Sequence, residues 1–327
     1  MDGFLVVDKP AGISSHDVVA RIRKIAGQKK VGHTGTLDPF ATGVLPVALG
    51  EATKAITFLD ESVKAYHAVM KLGSATDTQD CTGTVISEGD WRSLSPEQVA
   101  QAARCFIGAI SQFPPMYSAV KQQGVPLYKL ARRGEEVERA ARDIIVHELT
   151  ILRIELPLVE FSVNCSRGTY VRTLAADLGE ALGCGAHLTE LRRTRSGLFS
   201  LDNALTLDQA GELGASGSLS QALMPLSRAL AHLPDYPLTD VGARKVSNGV
   251  APKAMEFVES SRTLPAVGER LRLTHEGSLL AVAAVVGAPV ADGKVNLRIL
   301  RGFNPEYPLH ENSLVVQKPL PITPPVN

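Results

Sequence analysis

The chain has 327 residues, 44% of them hydrophobic and 21% charged, with 34 lysines and arginines against 34 aspartates and glutamates. That is apolar material for one large domain and a small one, or two of middling size, and it argues against a disordered or fibrous chain. Formal neutrality speaks against general nucleic-acid coating but leaves room for one concentrated basic face that recognises a folded RNA.

Taken in order, Gly3–Asp8 has the length and composition of a strand and is followed by Lys9-Pro10 and a turn at Ala11-Gly12. Ser14-Ser15 can cap a helix with Val18, Ile22 and Ile25 on one face, and Gly27 ends it. Gly32 to Pro46, GHTGTLDPFATGVLP, holds three glycines, two prolines and three threonines and cannot be an ordinary helix or central strand. It is predicted to be a stiff loop presenting one carboxylate, Asp38, which Pro39 pushes toward extended angles. An Asp-Pro turn whose carboxylate bonds only its own backbone is the simpler reading of that dipeptide alone.

Tyr66 to Leu72 alternates as a strand, and Gly73 to Gly83 reads as a polar loop in which Asp77 and Asp80 order the backbone. Ser95-Pro96-Glu97-Gln98 opens a helix. From Phe113 to Arg139, prolines, Tyr117, Lys121, Tyr128 and several arginines make a polar arm whose interleaved aromatic and basic residues suit unpaired bases and phosphates, ahead of the plainer reading of a solvated helix in which Glu135, Glu136 and Glu138 offset the arginines. Ile144–Ile154 and Leu158–Cys165 are β-branched strands. Gly168 then breaks the chain, and Leu174, Leu178 and Leu182 set a helical period over Thr169–Ala181. Arg172 falls near the start of that helix, where a cation is unfavourable without an acidic partner.

Ala204–Ala231 looks helical and connecting, with a break at 214–218. From Tyr236, short strands (Arg270–Thr274, Leu279–Val286, Val295–Leu300) alternate with Gly and Pro, and a Pro-rich tail at 319–325 is expected to fray. The pairs Lys29-Lys30 and Arg132-Arg133 and the run Arg192-Arg193-x-Arg195 each read as solvated surface. No apolar run approaches the roughly 18 residues of a membrane span, and the run at 4–7 is too short for a signal peptide, so a cytoplasmic protein is expected. The four cysteines form no CxxC pair and the eight histidines show no ligand spacing, so reduced thiols and no metal are expected.

GHTGTLDP, with Ala41, Gly43 and Leu45-Pro46 behind it, resembles the catalytic loop of the tRNA pseudouridine-55 synthases, the TruB family. DKPAGISSHDVV, K-x-Y-x-A with LGSATDTQDCTG, FPPMYSAVKQQGVPLYKLARRGEEVER and CSRGTYVRTLAADLG resemble the family's other motifs in the same order. The resemblance implies an α+β fold: a catalytic domain at 1–235 with a mixed sheet flanked by helices and loops, and a small β-rich PUA-like RNA-binding domain at 236–327. It makes 113–139 a thumb that grips RNA and gives Lys9-Pro10 a supporting role. It implies that Asp38 is the essential catalytic residue, that Arg172 pairs with it, and that Tyr66 stacks on the target base and is a candidate proton acceptor. His33, Tyr170 and Leu191 would line the substrate site; from the residues alone Leu191 reads as core and Tyr170 as packing. The implied activity is isomerisation of uridine 55 in the tRNA T-loop to pseudouridine, with the tRNA T-arm as partner, no cofactor, no metal and a monomeric enzyme.

Three rival readings stand beside it. A glycosidase-like hydrolase would need paired carboxylates, and only one loop-presented acid is evident. A non-catalytic tRNA-binding or folding protein would leave Asp38, Tyr66 and Arg172 without a purpose. An RNA-guided synthase of a ribonucleoprotein is disfavoured by the separate thumb segment.

Overall fold

The computed structural model describes residues 1–259, 263–287 and 296–303, and the chain divides into two compact units, the first Met1–His232 and the second beginning at Leu233. Val295 and the Pro-rich stretch at 319–325 lie outside the described residues.

Local capping chemistry places the helices of the first unit. Ser14 accepts from the Asp17 amide, the Asp17 carboxylate accepts from the Ser14 amide, and the helix Ser15–Ile25 buries Val18, Val19 and Ile22. Ser95 with Gln98 and Thr206 with Gln209 repeat the reciprocal cap at Pro96–Arg104 and Leu207–Ala215. Val171–Ala181 lacks a side-chain cap and is held by burial of Val171, Leu174, Ala175 and Leu178.

Among the described residues the first unit's main sheet has nine strands. Its order is Gly3–Lys9, Thr42–Leu49, Ala186–Ser196, Val63–Leu72, Leu158–Ser166, Arg142–Glu155 and Gly108–Gln112, with Val31–His33 joined to Thr42–Leu49 and Phe199–Ser200 to Ala186–Ser196. All of these pairings are antiparallel except one: Thr42–Leu49 runs parallel to Ala186–Ser196, Thr42 beside Arg192 and Gly43 beside Arg193. The sheet is therefore mixed, as expected, and its parallel seam lies where the Asp38 loop returns to it. On Val63–Leu72 the residues Tyr66, Ala68, Met70 and Leu72 face the core, the period-2 pattern read from the sequence.

Three segments differ from their sequence reading. Gly32–Pro46 is a loop only from 34 to 41: Gly32 and His33 belong to the strand Val31–His33, and Thr42 to Pro46 open Thr42–Leu49, a strand paired on both sides despite Gly43 and Pro46. Gly73–Gly83 is more than a polar loop: Ser74–Thr76 pairs with Val85–Glu88, and Gln79 turns the chain at a φ of 64°. Ala204–Ala231 is more than a connector, because Leu205 and Met224 form β-bridges to Val7 and Phe4 and so cover the outer edge of the first strand.

The second unit holds a four-stranded sheet, Asp235–Pro237, Arg270–His275, Ser278–Val285 and Leu297–Gly302, over a core that includes Tyr236, Val246, Phe257, Leu271 and Leu280. The helix Asp240–Ser247 packs on it, so this β-rich unit is not purely β.

The parallel seam makes a demand on one residue. Gly43 has a φ of 101°, and a Cβ there would stand 2.2 Å from the Arg193 carbonyl oxygen, a backbone atom that cannot step aside. Gly12 has a φ of 85° with nothing within 4 Å of a Cβ. Gly43→Ala is therefore expected to lose roughly 2–4 kcal/mol in urea unfolding, and Gly12→Ala only about 1 kcal/mol. Equal losses would mean the two strands do not approach this closely.

Candidate active site

The loop from Thr34 to Ala41 is clamped from below and from the side. Ser15 Oγ accepts from the Leu37 amide (2.8 Å) and donates to its carbonyl (3.1 Å), while the Leu37 side chain is buried. Lys9, fully buried, donates to the carbonyls of Pro10 (2.9 Å), Ile13 (2.7 Å) and Pro39 (3.1 Å), and the Gly12 amide also donates to Pro39. Burial, reinforced by the Arg193 charge, lowers the Lys9 pKa to about 8, which leaves it mainly protonated at neutral pH. From the other side Arg193 donates through Nε to Val44 (2.7 Å), through Nη2 to Gly35 (3.1 Å) and through Nη1 to Thr36 (3.4 Å). Arg193 is 1% exposed, which corrects its reading as part of a solvated basic run. Arg192 next to it pairs with Asp8, and Arg195 is exposed.

Asp38 meets Arg172 as the sequence reading expects. Arg172 Nη2 donates to Asp38 Oδ1 at 3.2 Å, and its Nε lies 2.9 Å from Oδ2. The same guanidinium reaches further. Nη1 donates to Asp80 Oδ2 (3.1 Å) and the Thr78 carbonyl (2.8 Å), and Nη2 to the Tyr117 carbonyl (2.9 Å). One arginine, 3% exposed, thus ties together the Asp38 loop, the 77–83 loop and the base of the 113–139 arm. Within that arm Leu127 and Leu130 are buried, while Arg132, lying over the Tyr128 ring, and Arg133 are exposed.

The two carboxylates are not equivalent. Asp80 Oδ1 accepts from the Thr78 hydroxyl (2.8 Å), the Thr82 amide (3.0 Å) and the Thr82 hydroxyl (2.5 Å), so Asp80 orders its loop as expected and pairs with Arg172 as well. Asp38 takes its ion pair from Arg172 and keeps 30% of its side-chain exposure. Dense walls surround the rest of it. Burial pushes its pKa up against the pull of Arg172; the Asp80 charge adds to the rise and Lys9 opposes it. A desolvated carboxylate held by one arginine is a stronger base than one in water, with one edge free for a substrate.

Tyr66 is buried on its strand opposite Arg193, and its burial raises the phenol pKa, so the hydroxyl is protonated at neutral pH. Tyr170 sits at the start of Val171–Ala181, its backbone held at both ends by the buried Gln112 amide (2.8 and 3.1 Å). Burial raises its phenol pKa too, and both tyrosines feel the Asp38 charge. Leu191 is buried beside Ala68 in the sheet. His33 ends its strand edge-on to His16, ring centroids 5.2 Å apart, with Nδ1 buried and unpartnered. Burial, with His16 and Arg193 adding, drops its pKa to about 4, so the ring is neutral.

Sequence reasoning therefore brought Asp38 and Arg172 together correctly and missed Arg193, Gln112, the threonine cage and the second carboxylate's ion pair. The double arginine after Leu191 carried a usable signal, since a strand buried on one face sends alternate residues inward. Among the described residues no group of three or more His, Cys, Asp or Glu could hold a metal ion, and no helix is long and apolar enough to cross a membrane.

Residues 23–171 match the model of the TruB family pseudouridylate synthase N-terminal domain, and residues 172–231 match that of the tRNA pseudouridylate synthase B C-terminal domain. The tRNA pseudouridine synthase B of Geobacter sulfurreducens is 56% identical over 93% of this chain and 100% of its own length. That of Geotalea uraniireducens is 57% identical over 93% and 98%. Among solved structures, a chain from a Cbf5-Nop10-Gar1 complex superposes with a TM-score of 0.70 at 30% identity, covering 93% of this chain and 85% of that one.

The neutral His33 gives a pH test of this geometry. As pH falls from about 6.5 toward about 4, the unfolded chain takes up a proton that the folded ring does not, so stability falls with pH across that window. Between pH 7 and pH 5 the wild type is expected to lose more urea stability than His33→Gln. Equal losses would mean the ring is not held neutral.

Proposed function

The chain belongs to the TruB family of pseudouridylate synthases, and from that premise we propose that it isomerises uridine 55 in the T-loop of tRNA to pseudouridine. The observation that carries the reading is the loop-held Asp38 paired with the buried Arg172, in a chain with relatives named tRNA pseudouridine synthase B along nearly its whole length. A tRNA substrate puts the work in the cytoplasm.

The reaction breaks the glycosidic bond between the base and the ribose, turns the base and rejoins it through carbon 5, which gives up its proton while the freed ring nitrogen takes one from solvent. The net change is an isomerisation that consumes no oxidant and no second substrate. The target base must leave its stack to reach Asp38. Tyr66 offers it an aromatic face, with Tyr170 and Leu191 as further walls, and the neutral His33 stands at the loop's start, where it can occupy space that the base vacates. Asp38 acts on the nucleotide as nucleophile or base, oriented by Arg172. Because burial keeps Tyr66 protonated, its phenol serves as proton acceptor only if it passes its own proton on in the same step.

The exposed Arg132 and Arg133 and the half-buried Tyr128 of the 113–139 arm suit an RNA backbone and unpaired bases, and the arm's base is fixed to the site through the Tyr117 carbonyl. The Cbf5 likeness supports an RNA-guided reading less strongly, at 30% identity against 56–57%.

The position is tested by incubating unmodified tRNA transcript with the protein, marking pseudouridine with a carbodiimide and reading stops by primer extension. A single new stop one nucleotide 3′ of position 55 is expected. A stop elsewhere would reassign the target, and no stop at all would remove the stand-alone reading.

A further inference from the structure

Besides Arg172, three cations surround the loop that carries Asp38, and two of them are engaged by backbone carbonyls. Lys9 donates to three carbonyls and Arg193 to three others. Lys64 is different. It stands two residues before Tyr66 on the strand Val63–Leu72, so its side chain leaves the sheet on the same face as Tyr66. Its ammonium reaches the catalytic loop at Gly35, where a Cβ would lie 2.8 Å from Nζ; the missing side chain is what makes room for it.

Among the described residues no acceptor or carboxylate engages this ammonium. Glu61 is close enough to favour the charged form but makes no ion pair with it, and one of its carboxylate oxygens is itself buried without a partner. Burial lowers the Lys64 pKa, and the charges of Arg193 and the exposed Arg167 act in the same direction. A half-buried cation with no partner is a costly arrangement that an incoming anion would relieve. His33 does not supply a competing charge, since its ring is neutral.

We propose that Lys64 is a phosphate-binding residue of the site, its ammonium taking the backbone phosphate that flanks the target nucleotide once the base has turned out of its stack. The assignment rests on the reading of the chain as an RNA-modifying synthase. It explains why the loop carries glycine at position 35, and it puts the anchoring charge on the strand that presents Tyr66, so that phosphate and base are held by one rigid element.

The test is a chemical double-mutant cycle on binding. Wild type, Lys64→Gln and Lys64→Arg are titrated with a T-arm stem-loop carrying either an ordinary phosphate or an uncharged methylphosphonate on the 5′ or the 3′ side of the target uridine, each RNA and its control sharing the same 2′-deoxy sugar at that linkage. Lys64→Gln is expected to weaken binding of ordinary RNA about tenfold and to flatten the salt dependence by about one phosphate contact, with Lys64→Arg retaining most of both. The wild type is expected to lose a similar factor to the methylphosphonate at one of the two linkages, and there Lys64→Gln should add nothing further. Additive losses at both linkages would overturn the proposal. So would a wild type indifferent to both methylphosphonates, an arm that needs no variant to fold. Pseudouridine formed in the same samples separates the two readings. Coupling without product would retain the phosphate site and remove the synthase reading; product without coupling would do the reverse.

Discussion

Everything near Asp38 depends on one buried guanidinium. Arg172 is 3% exposed and directs its donors at two carboxylates and two backbone carbonyls contributed by three separate loops. A buried arginine is tolerable only when its donors are met, and removing one partner of such a pair commonly costs about 3–5 kcal/mol. The three loops are therefore coupled: none can move without stranding the charge. The planar fork also explains why arginine stands here, since a lysine could not span both carboxylates and both carbonyls.

The coupling assigns unequal work to the two acids. Asp80, with three donors on one oxygen and Arg172 on the other, is a fixed counter-charge. Asp38 has the same arginine but an open edge, and its pKa is raised by burial and by the neighbouring Asp80. One acid neutralises the arginine, and under the proposed function the other is left to do chemistry. The sheet supplies the stiffness beneath them, because Arg193 crosses the parallel seam to hold Gly35, Thr36 and Val44, and Lys9 braces Pro39 from below.

How much of this was legible in the sequence follows the range of each interaction. The helices Ser15–Ile25 and Pro96–Arg104 were readable because their caps lie within four residues, and Tyr66–Leu72 because alternation is local. The Asp38–Arg172 pair spans 134 positions and was expected only through the resemblance, together with the oddity of a cation near a helix start. Arg193 was missed because adjacent arginines look like solvated surface, whereas strand alternation turns one inward and leaves its neighbour on Asp8. The covering of the first strand's edge by Leu205 and Met224 had no local signature either, since bridges to Val7 and Phe4 join the two ends of the unit.

The central claim is that Asp38, positioned by Arg172, is the group that acts on the nucleotide. It is tested most directly by tritium release from 5-tritiated uridine in a T-arm stem-loop, with wild type beside Asp38→Asn at matched RNA occupancy. Release by the wild type and none by Asp38→Asn is expected, the variant still folding and binding RNA because Arg172 keeps Asp80, Thr78 and Tyr117 and the asparagine amide oxygen can still accept from it. Release undiminished in Asp38→Asn would contradict it.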